Sequence, residues 1–271
     1  MIPNILSIAG SDPSGGAGIQ ADIKAISANG GYAMAALTAL TAQNTGGVSA
    51  VEPVRPEMIR EQIAMIRQDI RIDAVKIGML GSAETIATVA GALEGLAAPI
   101  VLDPVMVAKS GDRLLAAEAV AALRDFLPRA RVITPNLPEA ADLLGCPEAS
   151  NRTEMEEQAR ALLALGSEAV LLKGGHLLGE DCPDLLVEGE TLHWSVGPRH
   201  ATANTHGTGC TLSSALACWL GHGLPLAQAV ERAKAYVAGA IAAADQLQVG
   251  HGHGPTNHFF TLTETQMEKG C

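Results

Sequence analysis

Residues 4–31 read NILSIAGSDPSGGAGIQADIKAISANGG, and the order of their parts decides the fold class. Asn4–Ala9 is a short apolar run, the signature of a strand buried on both faces. Residues 10–18 follow as a glycine-rich loop. Residues 19–29 then predict a helix, stopped by Asn29-Gly30-Gly31.

The same grammar continues outward. Residues 32–41, apolar with threonines, predict a strand. Residues 56–67 predict a helix, with Pro56 near its start and Met58, Ile59, Ile63 and Ile66 at helical spacing. Ala74–Ile77 reads as a strand, and Ser82 as the cap of a helix reaching about Gly91. Ile100–Leu102 is a strand ending at Asp103, residues 115–126 a helix and residues 132–134 a strand. Thr153-Glu154-Met155-Glu156 has the pattern of a capping box, opening a helix that ends at Gly166. Ala169–Lys173 is the next strand, residues 185–196 predict a hairpin about Gly189, and residues 209–220 and 225–244 predict two long helices.

Strands alternating with helices imply an α/β fold, a mostly parallel sheet covered on both faces. No repeat, charge block or low-complexity linker divides the chain, so residues 1–271 read as one domain. Ligands of such sheets bind at the carboxyl ends of the strands. The loops after Ala9, Ile77, Leu102, Thr134 and Lys173 are therefore the places for chemistry.

Composition narrows the partners. Lys and Arg number 18 against 29 Asp and Glu, a formal charge of −11, which makes nucleic acid or an anionic membrane surface a poor match. A phosphate would have to be held by backbone amides, a few lysines and a metal. Apolar residues make up 48% and aromatic ones only 3%, so the core must be filled by Ala, Leu, Val and Ile. Five cysteines without a Cys-x-x-Cys pair indicate neither a disulfide scaffold nor a zinc knuckle. The start lacks a basic segment before a signal-type apolar core, and no apolar run approaches the ~18 residues of a membrane span. A soluble, cytoplasmic protein is expected.

Gly16-x-Gly18-x-x-Ala21 matches a dinucleotide pattern, but it lies too far behind its strand, and a bare glycine pattern is weak. The loop is either a mobile turn or a place where backbone approaches a flat small ligand, with Asp22 one turn into the helix as an acceptor. No Gly-Lys dipeptide occurs, which excludes a Walker A loop; G-x-S-x-G and H-E-x-x-H are also absent. Asn204-Thr-His-Gly-Thr-Gly-Cys-Thr-Leu-Ser-Ser214 leads straight into an apolar helix. Free amides and the dipole at a helix start form an anion site, and Gly207 and Gly209 allow close approach. Cys210, at that start, is either a thiol of lowered pKa or a small buried apolar residue. Asp103 and the pair Asn136-x-x-Glu139 end neighbouring strands, as Mg²⁺ donors or as ordinary caps and surface charges. Lys173 is either a phosphate clamp or a solvated strand end. His251, His253 and His258 match no metal spacing well.

The segments AGSDPSGGAGIQAD, TAQNT, KIGML, LDPVMVAKSG, TPNLPEA, LLKGGH, NTHGTGCTLSSA and HGPTNHF, in this order over residues 5–259, resemble the hydroxymethylpyrimidine/phosphomethylpyrimidine kinase family of thiamine biosynthesis. The resemblance implies a ribokinase-like three-layer α/β/α sandwich, usually a homodimer. It implies a kinase that uses ATP and Mg²⁺ to phosphorylate 4-amino-5-hydroxymethyl-2-methylpyrimidine and then its monophosphate. Ala17, Asp22 and Gln43 would touch the pyrimidine, with Met79 and Val105 packed on the ring. Gly207, Thr208, Gly209 and Cys210 would form the anion hole, Asp103, Asn136 and Glu139 the Mg–phosphate region, and Lys173 the phosphate contact. Sugar kinases similar in fold carry an Asp base where Cys210 stands, and some pyridoxal kinases share the Cys. A pyridoxal kinase on the same scaffold is thus the second reading, and a non-catalytic binder of thiamine precursors the third.

Overall fold

The computed structural model describes residues 1–107, 114–116 and 118–262. Residues 108–111 of the LDPVMVAKSG segment, Ala117 and Cys271 lie outside the described residues. The strands are β1 (Asn4–Ala9), β2 (Tyr32–Leu37), β3 (Ala39–Asn44), β4 (Gly47–Pro53), β5 (Ala74–Ile77), β6 (Ile100–Leu102), β7 (Val132–Ile133), β8 (Ala169–Lys173), β9 (Asp181–Glu188) and β10 (Thr191–Pro198). Eight of them form one sheet in the order β10-β9-β8-β7-β6-β5-β1-β2. Pairing is parallel from β2 to β8 and antiparallel for β8–β9 and β9–β10. From β1 the chain adds β2 on one side and β5 on the other, so the strand order reverses between β1 and β5. The crevice at such a switch point is where open α/β sheets take ligands.

Alternation along the strands builds two cores. Leu6 and Ile8 of β1 and Val75 and Ile77 of β5 face α2 (Pro56–Asp69), α3 (Ala83–Ala92), α4 (Ala119–Phe126), α5 (Leu137–Leu144) and α6 (Arg152–Leu163). Ile5 and Ala74 face the opposite layer of α1 (Gly18–Ala28), α7 (Thr208–Gly221) and α8 (Leu226–Ala242). This is the expected three-layer sandwich. In the second layer Ala215, Ala217, Ala229 and Ala233 are all fully buried. Small side chains let α7 pack tightly on the sheet and on α8, which is how a chain poor in aromatics fills its core.

Three local expectations are corrected. Residues 32–41 are not one strand: the chain breaks at Thr38, whose hydroxyl donates to the Met79 carbonyl at 2.6 Å. β3 then leaves the sheet to pair antiparallel with β4 as a separate two-stranded flap. β4 was missed because it is almost wholly exposed and lacks an apolar face. The cap of α6 is Asn151, not Thr153; its side chain accepts from the Glu154 amide at 3.0 Å, and the Glu154 carboxylate reaches back to Ser150. Thr153 is already the second residue of the helix, so the preceding Asn151 occupies the cap position. The helix expected over 115–126 begins at Ala119. The hairpin about Gly189 is present and longer than expected, as β9 and β10.

Candidate active site

Two glycine-bearing turns meet at the switch point. The first follows β1 and closes on its own Asp12, whose carboxylate accepts from the amide (2.9 Å) and hydroxyl (2.7 Å) of Ser14 and from the Ala17 amide (2.8 Å). The second, residues 204–210, opens α7. Its N-cap is Gly207, at φ 77° and without a side-chain cap. The amides of the first turn of a helix have no intrahelical partner, and here nothing on the N-cap side chain uses them. The two turns touch: a Cβ on Gly207 would collide with the Gly16 carbonyl, and one on Gly16 with the His206 ring. Glycine is required at both positions for close approach, and at Gly207 also for the left-handed φ.

Beneath the second turn lies a charged cluster from neighbouring strand ends. Lys173 Nζ stands 3.0 Å from Asp103 Oδ1 and 3.9 Å from Glu139 Oε2. The Thr134 hydroxyl also donates to Asp103, at 3.0 Å. A Cβ on Gly209 would lie 3.3 Å from Lys173 Nζ and 3.4 Å from Asp103 Oδ2, so the start of α7 rests on this cluster. Asn136 and Glu139 form a reciprocal capping box for α5, both bonds being 2.8 Å. Burial, with Asp103 nearby, pushes the Glu139 carboxyl up to about 7, against the pull of Lys173. Lys173 is held above its ordinary value: burial opposes its charge, but Asp103 and Glu139 outweigh it. Lys173 is thus a half-buried, ion-paired lysine rather than a solvated strand end. Among the described residues no group of three or more His, Cys, Asp or Glu side chains is placed to hold a metal.

Two expectations about this site are corrected. Asp22 does not face a ligand. Its side chain is fully buried and saturated by Ser7 (2.6 Å), Ser214 (2.7 Å) and both contacts to Lys76 (2.8 Å). Strand alternation points Ser7 and its register partner Lys76 at the α1–α7 layer, where Asp22 waits. The Cys210 thiol is not lowered. It is half-buried beside the Gly18 amide, and burial, with Asp22 and Asp103, pushes it up to about 11 against the pull of Lys76. Desolvation in the closed junction outweighs the helix start. The sulfur nonetheless sits where the two turns join.

The remaining expected residues are spread over the two turns, the flap and the ends of β5 and β6. Met79 packs on Gly10, where a Cβ would lie 3.1 Å from its sulfur. The Thr41 hydroxyl reaches both the Ser11 carbonyl (2.8 Å) and Gln43 Oε1 (3.2 Å). Gln43, with Pro13 and Val48, borders an open groove of about 700 Å³ between this turn and the flap. Ala17 is the N-cap of α1, and Val105 follows β6. Thr208, like Ala17 and Val105, is half-buried.

Sequence reasoning missed Asp12, Lys76, His206, Ser214 and the tail. The segment 253–258 runs behind the second turn, with the Gly254 carbonyl accepting from the His206 amide at 3.0 Å. His258 is buried against Thr211 (Nε2···Oγ1 3.0 Å), while the exposed His251 and His253 stay in the loop before it. Burial, aided by Lys24, pushes the His258 imidazole down to about 4 from an ordinary 6.5. The folded state therefore resists a proton that the unfolded chain takes up. This contribution is full above pH 6.5 and is lost as pH falls toward 4. Urea unfolding at pH 7.5 and 4.5 should show a wild-type loss about 2–3 kcal/mol larger than that of His258→Gln. Equal losses in the two proteins would contradict the burial of a neutral ring.

Comparison with known proteins agrees with this architecture. The Bacillus subtilis pyridoxal kinase, solved as an ADP complex, superposes with a TM-score of 0.89 at 37% identity, over 97% of this chain and 99% of that one. The phosphomethylpyrimidine kinase of Clostridium difficile 630 superposes with a TM-score of 0.78 at 43% identity, over 88% and 99%. The fold is that of ribokinase-like kinases, which are phosphotransferases. A family model described as phosphomethylpyrimidine kinase matches residues 12–257. Proteins named hydroxymethylpyrimidine/phosphomethylpyrimidine kinase are 52% identical in Rhizobium meliloti (strain 1021), over 94% of this chain and 96% of that protein, and 51% identical in Escherichia coli (strain K12), over 94% and 97%. The chain belongs to the phosphomethylpyrimidine kinase family.

Proposed function

We infer that this chain, acting as one domain, transfers the terminal phosphoryl group of ATP to 4-amino-5-hydroxymethyl-2-methylpyrimidine and then to its monophosphate, in thiamine diphosphate biosynthesis. The observation that carries this is the junction itself: the start of α7 at 207–210, which no side chain caps, and Lys173 on one side, the glycine loop after β1 on the other, and the Cys210 sulfur between them. Phosphoryl transfer asks mainly for positioning and for neutralised charge. The amides and the dipole of α7 supply the first anion contacts. Lys173, kept charged by Asp103 and Glu139, supplies the cation. With burial pushing its thiol up to about 11, Cys210 enters the site as a neutral SH group, and the transfer leans on positioning and neutralised charge.

On the acceptor side, Gln43 both donates and accepts, which suits an aminopyrimidine edge. Met79, Val105 and the backbone of Ala17 offer the apolar and flat surfaces. Asp103 and Glu139 are hard oxygen donors, the kind Mg²⁺ takes when phosphate oxygens and waters complete its shell. Lys173 already pairs with Asp103 and lies near Glu139, and Asn136 is spent as a cap, so the residues fit a metal held largely by phosphate and water. Such an ion would neutralise charge on the phosphate chain. A cytoplasmic setting agrees with the absence, among the described residues, of a helix long and apolar enough to cross a membrane. Leu40 and Val51, 51% and 40% exposed on the flap, agree with a homodimer.

Pyridoxal, also a hydroxymethyl group on a nitrogen ring, is the second acceptor to consider, because the higher TM-score is to a pyridoxal kinase. A coupled ADP-release assay with the two acceptors side by side decides. Hydroxymethylpyrimidine should give at least ~10-fold higher kcat/KM, the discrimination available to a site with matched polar groups. Faster turnover of pyridoxal would reverse the assignment.

A further inference from the structure

The geometry points to Asp12 and His206 as a positioning pair that sets the spacing between the acceptor loop and the phosphate turn. His206 Nε2 lies 2.8 Å from Asp12 Oδ2, across 194 residues of chain. Both side chains are buried, at 7% and 2% residue exposure, so the contact is shielded from water. A carboxylate only accepts, so Nε2 carries the hydrogen whatever the charge of the ring. Burial alone would raise the Asp12 carboxyl; His206, Ser14 and Ala17 outweigh it and keep the group ionised.

Each partner is anchored on its own side. Asp12 gathers the Ser14 and Ala17 amides, and its own amide donates to Gln20 Oε1 at 2.9 Å, so the carboxylate moves only if the whole loop moves. His206 immediately precedes Gly207, and its amide is tied to the Gly254 carbonyl of the tail. The segments they join are rich in glycine: Gly15, Gly16 and Gly18 on one side, Gly207 and Gly209 on the other. Such backbones have little stiffness of their own. The side-chain bond between them therefore fixes how far the acceptor stands from the anion turn. A misplacement of about 1 Å in a transfer site costs on the order of 100-fold in rate. This inference rests on the kinase reading above.

The test measures wild type, His206→Leu and His206→Gln with ATP and hydroxymethylpyrimidine, together with the melting temperature of each. The Gln amide nitrogen falls close to the place of Nε2 and can donate to Asp12. His206→Leu should lose kcat by roughly 100-fold, with KM for either substrate changed by less than ~3-fold, and should melt lower than wild type because the buried Asp12 carboxylate loses its donor. His206→Gln should recover at least ~10-fold of that loss. A kcat within ~3-fold of wild type in His206→Leu, or a Gln variant no better than Leu, overturns the inference. If His206→Leu does not fold, His206→Gln is compared with His206→Asn, whose shorter arm cannot reach; equal kcat values then overturn it. An inactive wild type removes the kinase reading and the inference with it, whereas an active wild type beside a fully active His206→Leu removes the inference alone.

Discussion

Lys76→Met should destabilise the protein by about 3–5 kcal/mol, the cost of leaving a buried charge without its partner. Lys76 and Asp22 are both fully buried and lie 2.8 Å apart. Asp22 would keep only the hydroxyls of Ser7 and Ser214, which cannot offset a full negative charge away from water. Lys76 is held above its ordinary value because Asp22, with Cys210 and Asp103 further off, outweighs the burial that opposes its charge. Lys76 therefore stays charged throughout the working pH range. Asp22→Asn combined with Lys76→Met should recover most of the loss, since a neutral pair of similar volume is often as stable as the ion pair. Urea denaturation of the three proteins checks this. A single variant as stable as wild type, or a double variant no better than the single, would contradict a paired buried charge.

Lys173→Met carries the largest expected effect on catalysis. The side chain keeps its length and loses its charge, beneath the helix start proposed to hold the migrating group. Removing one such preorganised donor typically costs 10²–10³ in kcat. The loss should fall on kcat, with KM for the pyrimidine unchanged, because the proposed acceptor contacts belong to the other loop. Without Lys173, Asp103 and Glu139 face each other uncompensated, and the Glu139 carboxyl rises beyond its present position near 7. Steady-state kinetics of the variant give the answer. A kcat within ~3-fold of wild type would return Lys173 to the role of a strand end that only steadies its neighbours.

Much of this molecule was legible in its chain. β1, β5, β6 and β8 were readable because apolar runs of strand length bounded by glycine or proline leave few other structures open. The start of α7 at 207–209 was readable because a glycine-threonine turn running into an apolar segment marks a helix opening, whose amides favour an anion. What stayed hidden depended on tertiary pairing. Asp22 looked available because it lies one turn into α1; only the register of β1 with β5 shows that Lys76 consumes it. The signal was there in AVKI, where a lysine interrupts a strand otherwise buried on both faces. Asp12 and His206 are 194 residues apart, and no local pattern links them. The rise of the Cys210 thiol is a property of closed surroundings that a helix position alone does not reveal. The flap of β3 and β4 escaped because an exposed pair lacks the apolar alternation that marks a covered strand.

The most direct measurement is a crystal structure of the protein with a non-hydrolysable ATP analogue and hydroxymethylpyrimidine bound together. The terminal phosphate should accept hydrogen bonds from the amides of 207–210 and from Lys173, with the hydroxymethyl oxygen beside Cys210. A phosphate bound away from that turn, or a pyrimidine outside the junction of the two loops, would contradict the assignment of the site.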